Sequence, residues 1–210
     1  MLSVAEAQAR VMEPVTPMAS EWVGLNEALG RVLATDLVAG RGQPPCDVSA
    51  MDGYAVRAAD CDVGASLRLV GEIPAGHPPP GPVGRGEAMR IFTGAAVPEG
   101  ADAILIEENA TREGATVQVN EAPSAGRFIR PRGLDFSAGD VGFVAGTRID
   151  PRVIGLAAGF GHAWLEVRRR PRIGLLATGD ELVLPGGPVT STSIVSSNTP
   201  ALMAMLACWG

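Results

Sequence analysis

Residues 49–57 form the stretch Ser-Ala-Met-Asp-Gly-Tyr-Ala-Val-Arg, in which an acid and a flexible glycine stand directly before an apolar run. Just upstream, Pro44 and Pro45 exclude a continuing helix or a central strand. We therefore expect a strand that runs from Tyr54 and carries Asp52 at its start. An acid placed between two loop-like regions is typical of a functional site.

The same Asp52-Gly53 pair also fits a purely structural interpretation. In a tight turn the carboxylate hydrogen-bonds its own backbone, and Gly53 takes a positive φ. Taken without further context, the pair favours this turn.

Short β-like runs separated by glycine and proline follow Tyr54 as far as about Val119. Their composition and spacing predict a small β domain. The predicted strands are Leu67–Val70, Met89–Phe92, Ala103–Ile106 and Thr116–Val119.

Helical patterns lie on both sides of this region. A serine and a glutamate with capping-box spacing precede an apolar stripe and predict a helix over residues 3–13. Asp150 followed by proline predicts a second helix near residues 151–159. Two shorter predictions are a helix over Leu25–Gly30 and a strand over Arg31–Val38.

The last part of the sequence has the pattern of a strand and a helix. The apolar run Arg172–Thr178 has the length and composition of a buried parallel strand, and Thr199 caps a predicted helix that begins at Pro200. Asp180 and Glu181 follow the strand, where ligands of open α/β sheets bind. The helix amides suit a phosphate or an oxyanion, although the pattern alone favours an ordinary capped helix packed on a sheet.

Composition excludes several classes of function. A net charge of −6 and a pI near 5.0 disfavour a nucleic-acid partner. All 17 basic residues are arginine, which excludes the lysine of a Walker phosphate loop and the lysine of a Schiff base. The three cysteines show no CxxC spacing, which disfavours a structural zinc site. With no signal-peptide pattern and no apolar run near the roughly 20 residues that span a bilayer, we expect a cytoplasmic protein without a membrane partner.

Four segments, taken in order, resemble the molybdopterin molybdenumtransferase family, which includes the C-terminal part of gephyrin. The resemblance implies an enzyme of molybdenum-cofactor biosynthesis that inserts molybdate into adenylylated molybdopterin, with Mg²⁺ present, and releases AMP. It also implies a homodimer. The segments are SAMDGYAVR at 49–57, IFTGAAVPEGADAI at 91–104, RPRGLDFSAGD at 130–140 and RPRIGLLATGDELVLPG at 170–186.

The resemblance implies roles for residues in each segment. Asp52 and Glu181 match acids of the family's site, and carboxylates are ligands that Mg²⁺ prefers, so both are expected to be catalytic and to bind the metal. In the family the site lies between subunits, which implies that Asp52 faces Glu181 of a second copy. The expected substrate-binding residues are Thr93, Asp135, Ser197 and Asn198.

The resemblance also implies an α+β multidomain fold. An elongated N-terminal domain that mediates dimerisation is expected over residues 1–50 and 125–168, with the small β domain over 51–124 inserted in it. Residues 169–210 are expected to be the incomplete start of an α/β molybdopterin-binding domain.

Two positions depart from the family pattern. Val48 stands where a polar residue is common, and Ser196 stands where aspartate is usual, which removes an acid near the pterin-binding loop. The family's later glycine-rich signature and small C-terminal domain are not in this sequence. Since roughly 40 residues rarely bury enough apolar surface to fold alone, we expect residues 172–210 to pack against the chain, against a second copy, or poorly.

Two alternative functions stay open at this point. The chain could be a non-catalytic module of the family that dimerises or serves as a scaffold, because the pterin-binding signature is missing. It could also be a small adenylating enzyme of the related molybdopterin-binding type, which would need a complete domain.

Overall fold

The structure is a computed structural model and describes residues 2–209. Its helices and strands are mixed along the chain, which gives the α+β class that the sequence predicts. The elements are α1 Val4–Met12, β1 Ser20–Gly24, β2 Leu37–Val38, β3 Val48–Ser49, β4 Gly53–Val56, β5 Ser66–Ile73, β6 Glu87–Ile91, β7 Ala103–Ile106, β8 Ala110–Glu113, β9 Thr116–Val119, β10 Ile129–Arg130, β11 Val141–Phe143, α2 Pro151–Phe160, β12 Trp164–Arg168, β13 Leu182–Val183, β14 Ile194–Val195 and α3 Asn198–Trp209. Single turns of 3-10 helix cover Leu25–Glu27, Ala58–Asp60 and Glu107–Asn109.

The chain divides into two compact units. The sheet unit contains Val38–Asp140 together with Gly159–Gly161. The terminal unit contains the residues up to Leu37, Val141–Ala158 and the residues from His162 onward. The three-domain division expected from the sequence stays a prediction.

A six-stranded sheet with the order β7-β4-β6-β5-β9-β8 forms the centre of the sheet unit. All neighbouring strands are antiparallel except β5 and β6, which are parallel. All four strands predicted in this region are confirmed, and β7 and β9 have the predicted bounds. Strand β8 was not predicted, because its sequence Ala-Thr-Arg-Glu is largely exposed and shows no apolar alternation.

Strand β4 is buried along its whole length because apolar clusters cover both faces of the sheet. Tyr54 and Val56 belong to the cluster on one face, and Ala55 belongs to the cluster on the other. This alternation is the period of two expected of a strand. Asp52 directly precedes this buried strand, which therefore gives it a rigid support.

Gly53 is a strand residue, so the tight turn considered for the Asp52-Gly53 pair is wrong. It pairs with Ile91 on one side and with Ile106 on the other. A Cβ at this position would lie 2.2 Å from the carbonyl oxygen of Leu105. Glycine is needed here for the close approach of two backbones rather than for a positive φ.

The helices predicted from caps at Ser3 and Asp150 are both present in the terminal unit. Helix α1 has Ser3 as its N-cap in a complete capping box with Glu6. At the start of α2 the carboxylate of Asp150 accepts the N–H groups of Arg152 and Val153.

The shorter predictions for the terminal unit were less accurate. The predicted helix Leu25–Gly30 is one 3-10 turn, and the strand predicted over Arg31–Val38 is reduced to β2 and isolated bridges at Val32 and Leu33. The antiparallel pair of β1 and β12 was missed, because its register depends on residues far apart in sequence.

The buried strand predicted over Arg172–Thr178 is wrong. These residues form no strand, and the side chains of Ile173 and Leu176 are 54% and 89% exposed. Nearby, β13 and β14 form a two-stranded parallel pair, and α3 begins at Asn198 rather than at Pro200. A strand needs a hydrogen-bonded neighbour, and none lies beside this run in the part of the chain described.

The segment 172–209 is largely exposed. Among its described residues Ser196 alone is buried, and most apolar side chains of α3 are exposed. Of the helices that the structure describes, none is both long enough and apolar enough to cross a membrane.

Candidate functional site

Asp52 and Thr93 meet at the ends of two paired strands. Strand β4 begins one residue after Asp52, and β6 ends two residues before Thr93. Because Gly53 lies opposite Ile91 in the antiparallel pair, the two flanking residues are brought together. The Oδ1 atom of Asp52 accepts the backbone N–H of Thr93 at 2.7 Å and its hydroxyl at 2.7 Å.

These hydrogen bonds favour the charged form of Asp52. The backbone N–H and then the hydroxyl of Thr93 lower the pKa of this carboxyl, burial opposes them weakly, and the positive charge of Arg90 lowers the pKa further. Among the described residues no group donates a hydrogen bond to the Oδ2 atom. The exposed carboxylate is therefore ionised at neutral pH and has one oxygen free for a ligand.

The backbone before Asp52 is held by short hydrogen bonds. The N–H of Ser49 donates to the carbonyl oxygen of Ala95 at 2.9 Å. The carbonyl oxygen of Ser49 accepts the N–H of Gly94 at 2.8 Å. The Ser49 hydroxyl donates to the carbonyl oxygen of Met51 at 2.6 Å. The segment before Asp52 is thus tied to the loop that follows Thr93.

Arg90 lies behind this pair and was not among the residues singled out from the sequence. Its guanidinium lies 5.2 Å from the ring centroids of both Tyr54 and Phe92 and forms an ion pair with Glu107 at 2.6 Å. Burial lowers the pKa of Arg90, but the bond to Glu107 and nearby charges outweigh burial and raise it. A cation inside the otherwise apolar run Ala-Met-Arg-Ile-Phe was the available sequence signal.

Asp135 lies in the same unit on a separate loop. Its two carboxylate oxygens accept from Arg130 at 2.8 and 3.0 Å, and its backbone N–H donates to Gln43. A cavity of about 510 Å³ is lined by Arg130 and by Gly94, the residue after Thr93. The structure thus brings the partner of Asp135 and the neighbour of Thr93 to one cavity, of a size common for small-molecule sites.

The other three predicted site residues belong to the terminal unit. The carboxylate of Glu181 lies beside Gly179, so close that a Cβ added to Gly179 would be 2.7 Å from it. The backbone carbonyl oxygen of Glu181 accepts the N–H of Ile194. Ser197 precedes α3 and Asn198 is its first residue. Their roles toward a substrate stay predictions.

A magnesium ion can be accommodated at Asp52 only with ligands from elsewhere. Among residues 2–209 there is no group of three or more histidine, cysteine or acidic side chains that could hold a metal. Mg²⁺ commonly takes one or two carboxylates and completes its shell with water and phosphate oxygens. The exposed carboxylate of Asp52, with its free Oδ2, fits that mode of binding.

Comparison with known proteins places the chain in a family. A family model described as the MoeA N-terminal region, domains I and II, matches residues 2–161. The chain belongs to the MoeA family. Its resemblance to the molybdopterin molybdenumtransferases is therefore confirmed, and the chain corresponds to the N-terminal part of the MoeA proteins.

Curated MoeA relatives match nearly the whole chain. A molybdopterin molybdenumtransferase of Haemophilus influenzae is 36% identical over 200 residues, which are 94% of this chain and 50% of that protein. Molybdopterin molybdenumtransferase 2 of Mycobacterium tuberculosis is 39% identical over 210 residues, or 97% of this chain and 52% of that protein. The chain spans about half the length of these relatives.

A solved MoeA structure has the same fold as the chain. The molybdopterin biosynthesis MoeA protein of Pyrococcus horikoshii superposes with a TM-score of 0.89 at 28% identity, and the match covers 99% of this chain and 55% of the other. The fold of all the segments described above is thus similar to that of a MoeA protein.

Proposed function

We propose that the chain acts in molybdenum-cofactor biosynthesis, in the insertion of molybdate into adenylylated molybdopterin with release of AMP. The observation that supports this most is the bond of Asp52 to Thr93, which joins two of the four family segments in one site. Membership of the MoeA family, whose curated relatives are named molybdopterin molybdenumtransferases, points to the same reaction.

Asp52 supplies the carboxylate of this site. Its free Oδ2 would hold Mg²⁺, which would offset the negative charge of the phosphate and molybdate oxygens. Thr93 donates twice to Oδ1, which keeps the carboxylate ionised and leaves Oδ2 free. The lone pairs of the Thr93 hydroxyl remain available to the substrate.

The remaining predicted residues complete the proposal. Glu181 is a second acid for catalysis and for Mg²⁺, and it acts from a second copy of the chain in a cytoplasmic homodimer. Asp135, Ser197 and Asn198 bind the substrate.

The proposed domain arrangement is the one expected from the resemblance. An elongated N-terminal domain comprises residues 1–50 and 125–168 and carries the β domain 51–124 as an insert. Residues 169–210 belong to an α/β molybdopterin-binding domain. The description of the matching family model as domains I and II supports the first two.

A second candidate function is a dimerising or scaffolding module without catalysis. The exposure of apolar side chains in residues 172–209 favours it, because Leu176, Met203 and Trp209 are 89%, 60% and 69% exposed. Exposed apolar side chains of this kind are typical of a surface that binds a partner.

Release of AMP from adenylylated molybdopterin, in the presence of Mg²⁺ and molybdate, separates the two functions. The first predicts release that depends on molybdate. The second predicts no release together with self-association in sedimentation experiments. Release without molybdate contradicts the first, and a strict monomer at high concentration contradicts the second and the cross-subunit site.

A further inference from the structure

We propose that Arg90 is the positioning residue of the Asp52–Thr93 site, which it holds by tying together the two segments that flank Asp52. This inference rests on the proposed function for its biological meaning, but its geometry is independent of that function. Arg90 is opposite Tyr54 in the pairing of β6 with β4, so both side chains lie on the same face of the sheet.

The guanidinium of Arg90 is held in one position by three contacts. It lies over the rings of Tyr54 and Phe92, 5.2 Å from each centroid, and pairs with Glu107 at 2.6 Å. The arginine side chain is only 11% exposed, while the Glu107 side chain is 59% exposed. A largely buried planar cation that contacts two rings and a carboxylate has few other orientations.

Two of these contacts lead directly to Asp52. Phe92 is followed by Thr93, which donates both its N–H and its hydroxyl to the Asp52 carboxylate. Glu107 donates its own backbone N–H to the carbonyl oxygen of Asp52 at 3.2 Å. Arg90 therefore joins the segment that holds the Asp52 side chain to the segment that holds its backbone.

One buried atom of Arg90 lacks a hydrogen-bond partner, which indicates that this arginine does more than stabilise the fold. The Nη1 atom is buried and is the one buried side-chain nitrogen or oxygen in residues 2–209 without a hydrogen-bond partner. An apolar residue would avoid this cost in a buried strand. The unpaired Nη1 atom therefore favours a role for the guanidinium in its contacts with Phe92 and Glu107.

A matched control lies on the same sheet. Arg68 on β5 also pairs with a glutamate, Glu87 on β6, but its side chain is 70% exposed and no ring contact to it is found among the described residues. Arg68→Met removes an arginine–glutamate pair without touching Phe92 or Glu107.

The test measures the bond from Thr93 to Asp52 in the 210-residue chain by NMR hydrogen exchange of the Thr93 amide. The Ala58 amide, which donates to the Asp102 carboxylate at 2.7 Å, is the internal reference. Arg90→Met is expected to reduce protection of the Thr93 amide at least about tenfold and to leave Ala58 unchanged. Arg68→Met is expected to change neither amide.

Unchanged Thr93 protection in a folded Arg90→Met variant would overturn the proposal. Should that variant lose Ala58 protection as well, Glu107→Gln decides, because the Glu107 side chain is 59% exposed and lies outside both apolar clusters of the sheet unit. A selective loss of Thr93 protection in Glu107→Gln supports the proposal, and no change overturns it. Since exchange is measured without substrate, failure of AMP release would reject the proposed function and leave the role of Arg90 standing.

Discussion

At the scale of single residues, Gly53 and Asp52 show how one dipeptide serves backbone and chemistry separately. The glycine allows β4 and β7 to approach, and the acid bonds to Thr93 instead of to its own backbone. The local sequence favoured a turn because the partners of both residues lie about 40 to 50 positions away, which no local pattern reveals. The position of Asp52 was typical of a functional site, but only the ordered family motifs added Thr93 to it.

Gly53→Ala is expected to destabilise the chain by at least about 3 kcal/mol, since the new Cβ would lie 2.2 Å from the Leu105 oxygen. Urea unfolding measures the loss. Gly24→Ala in β1 is the control, because nothing lies within 4 Å of its Cβ, and it should change stability by less than about 1 kcal/mol. Equal effects of the two substitutions would show that the close approach is absent.

The Asp52 carboxyl is expected to titrate below the ordinary aspartate pKa of about 3.9, because Thr93 stabilises its ionised form. A lowered pKa in the folded state means that the stabilising contribution is present above the ordinary pKa and is lost as the pH falls through the folded value. Carbon-13 NMR of the carboxyl measures the midpoint.

Thr93→Ala removes the hydroxyl and keeps the N–H, so it should raise the Asp52 pKa part of the way toward the ordinary value. A wild-type midpoint at or above the ordinary value would contradict the hydrogen bonds.

At the scale of elements, the sequence was most informative where the signal is local. The caps at Ser3 and Asp150 predicted α1 and α2, because a helix end needs a side chain that is close in sequence. The run Arg172–Thr178 was wrongly predicted as a buried strand, because apolar composition does not reveal whether a neighbouring strand is there to pair with it. Strands β1 and β12 were missed because each pairs with a strand that is far away in the sequence.

Gly155→Ala in α2 is expected to raise stability by about 0.5 to 1 kcal/mol, since the position is helical, exposed and open around its Cβ. Gly114→Ala also meets open space, but Gly114 has φ +60° between β8 and β9, so that substitution should destabilise by about 1 kcal/mol. Thermal unfolding compares the two. The same sign for both would contradict the helical or the left-handed assignment.

At the scale of the whole molecule, the chain combines a well-packed sheet unit with a largely exposed terminal segment. The two apolar clusters of the sheet unit bury β4 from both sides, whereas residues 172–209 have one buried residue in the part described. Sequence patterns identified the apolar residues of both regions equally well. Burial depends on which other elements cover a strand or a helix. The sequence pattern of that strand or helix alone does not reveal them.

Limited proteolysis is expected to cut residues 172–180 well before it cuts the sheet unit, because backbone without strand or helix pairing and with exposed side chains opens easily. Mass spectrometry of the fragments locates the first cuts. Equal resistance of this segment and of the six-stranded sheet in a monomer would contradict the exposed arrangement.

The central claim is that Asp52, held by Thr93, acts in molybdate insertion, and AMP release from adenylylated molybdopterin tests it most directly. Wild type is predicted to release AMP with Mg²⁺ and molybdate, and Asp52→Asn is predicted to release it at least about 100-fold more slowly. Asp62→Asn, an exposed acid ten positions further along the same unit, should match wild type. Release by Asp52→Asn at the wild-type rate would contradict the account.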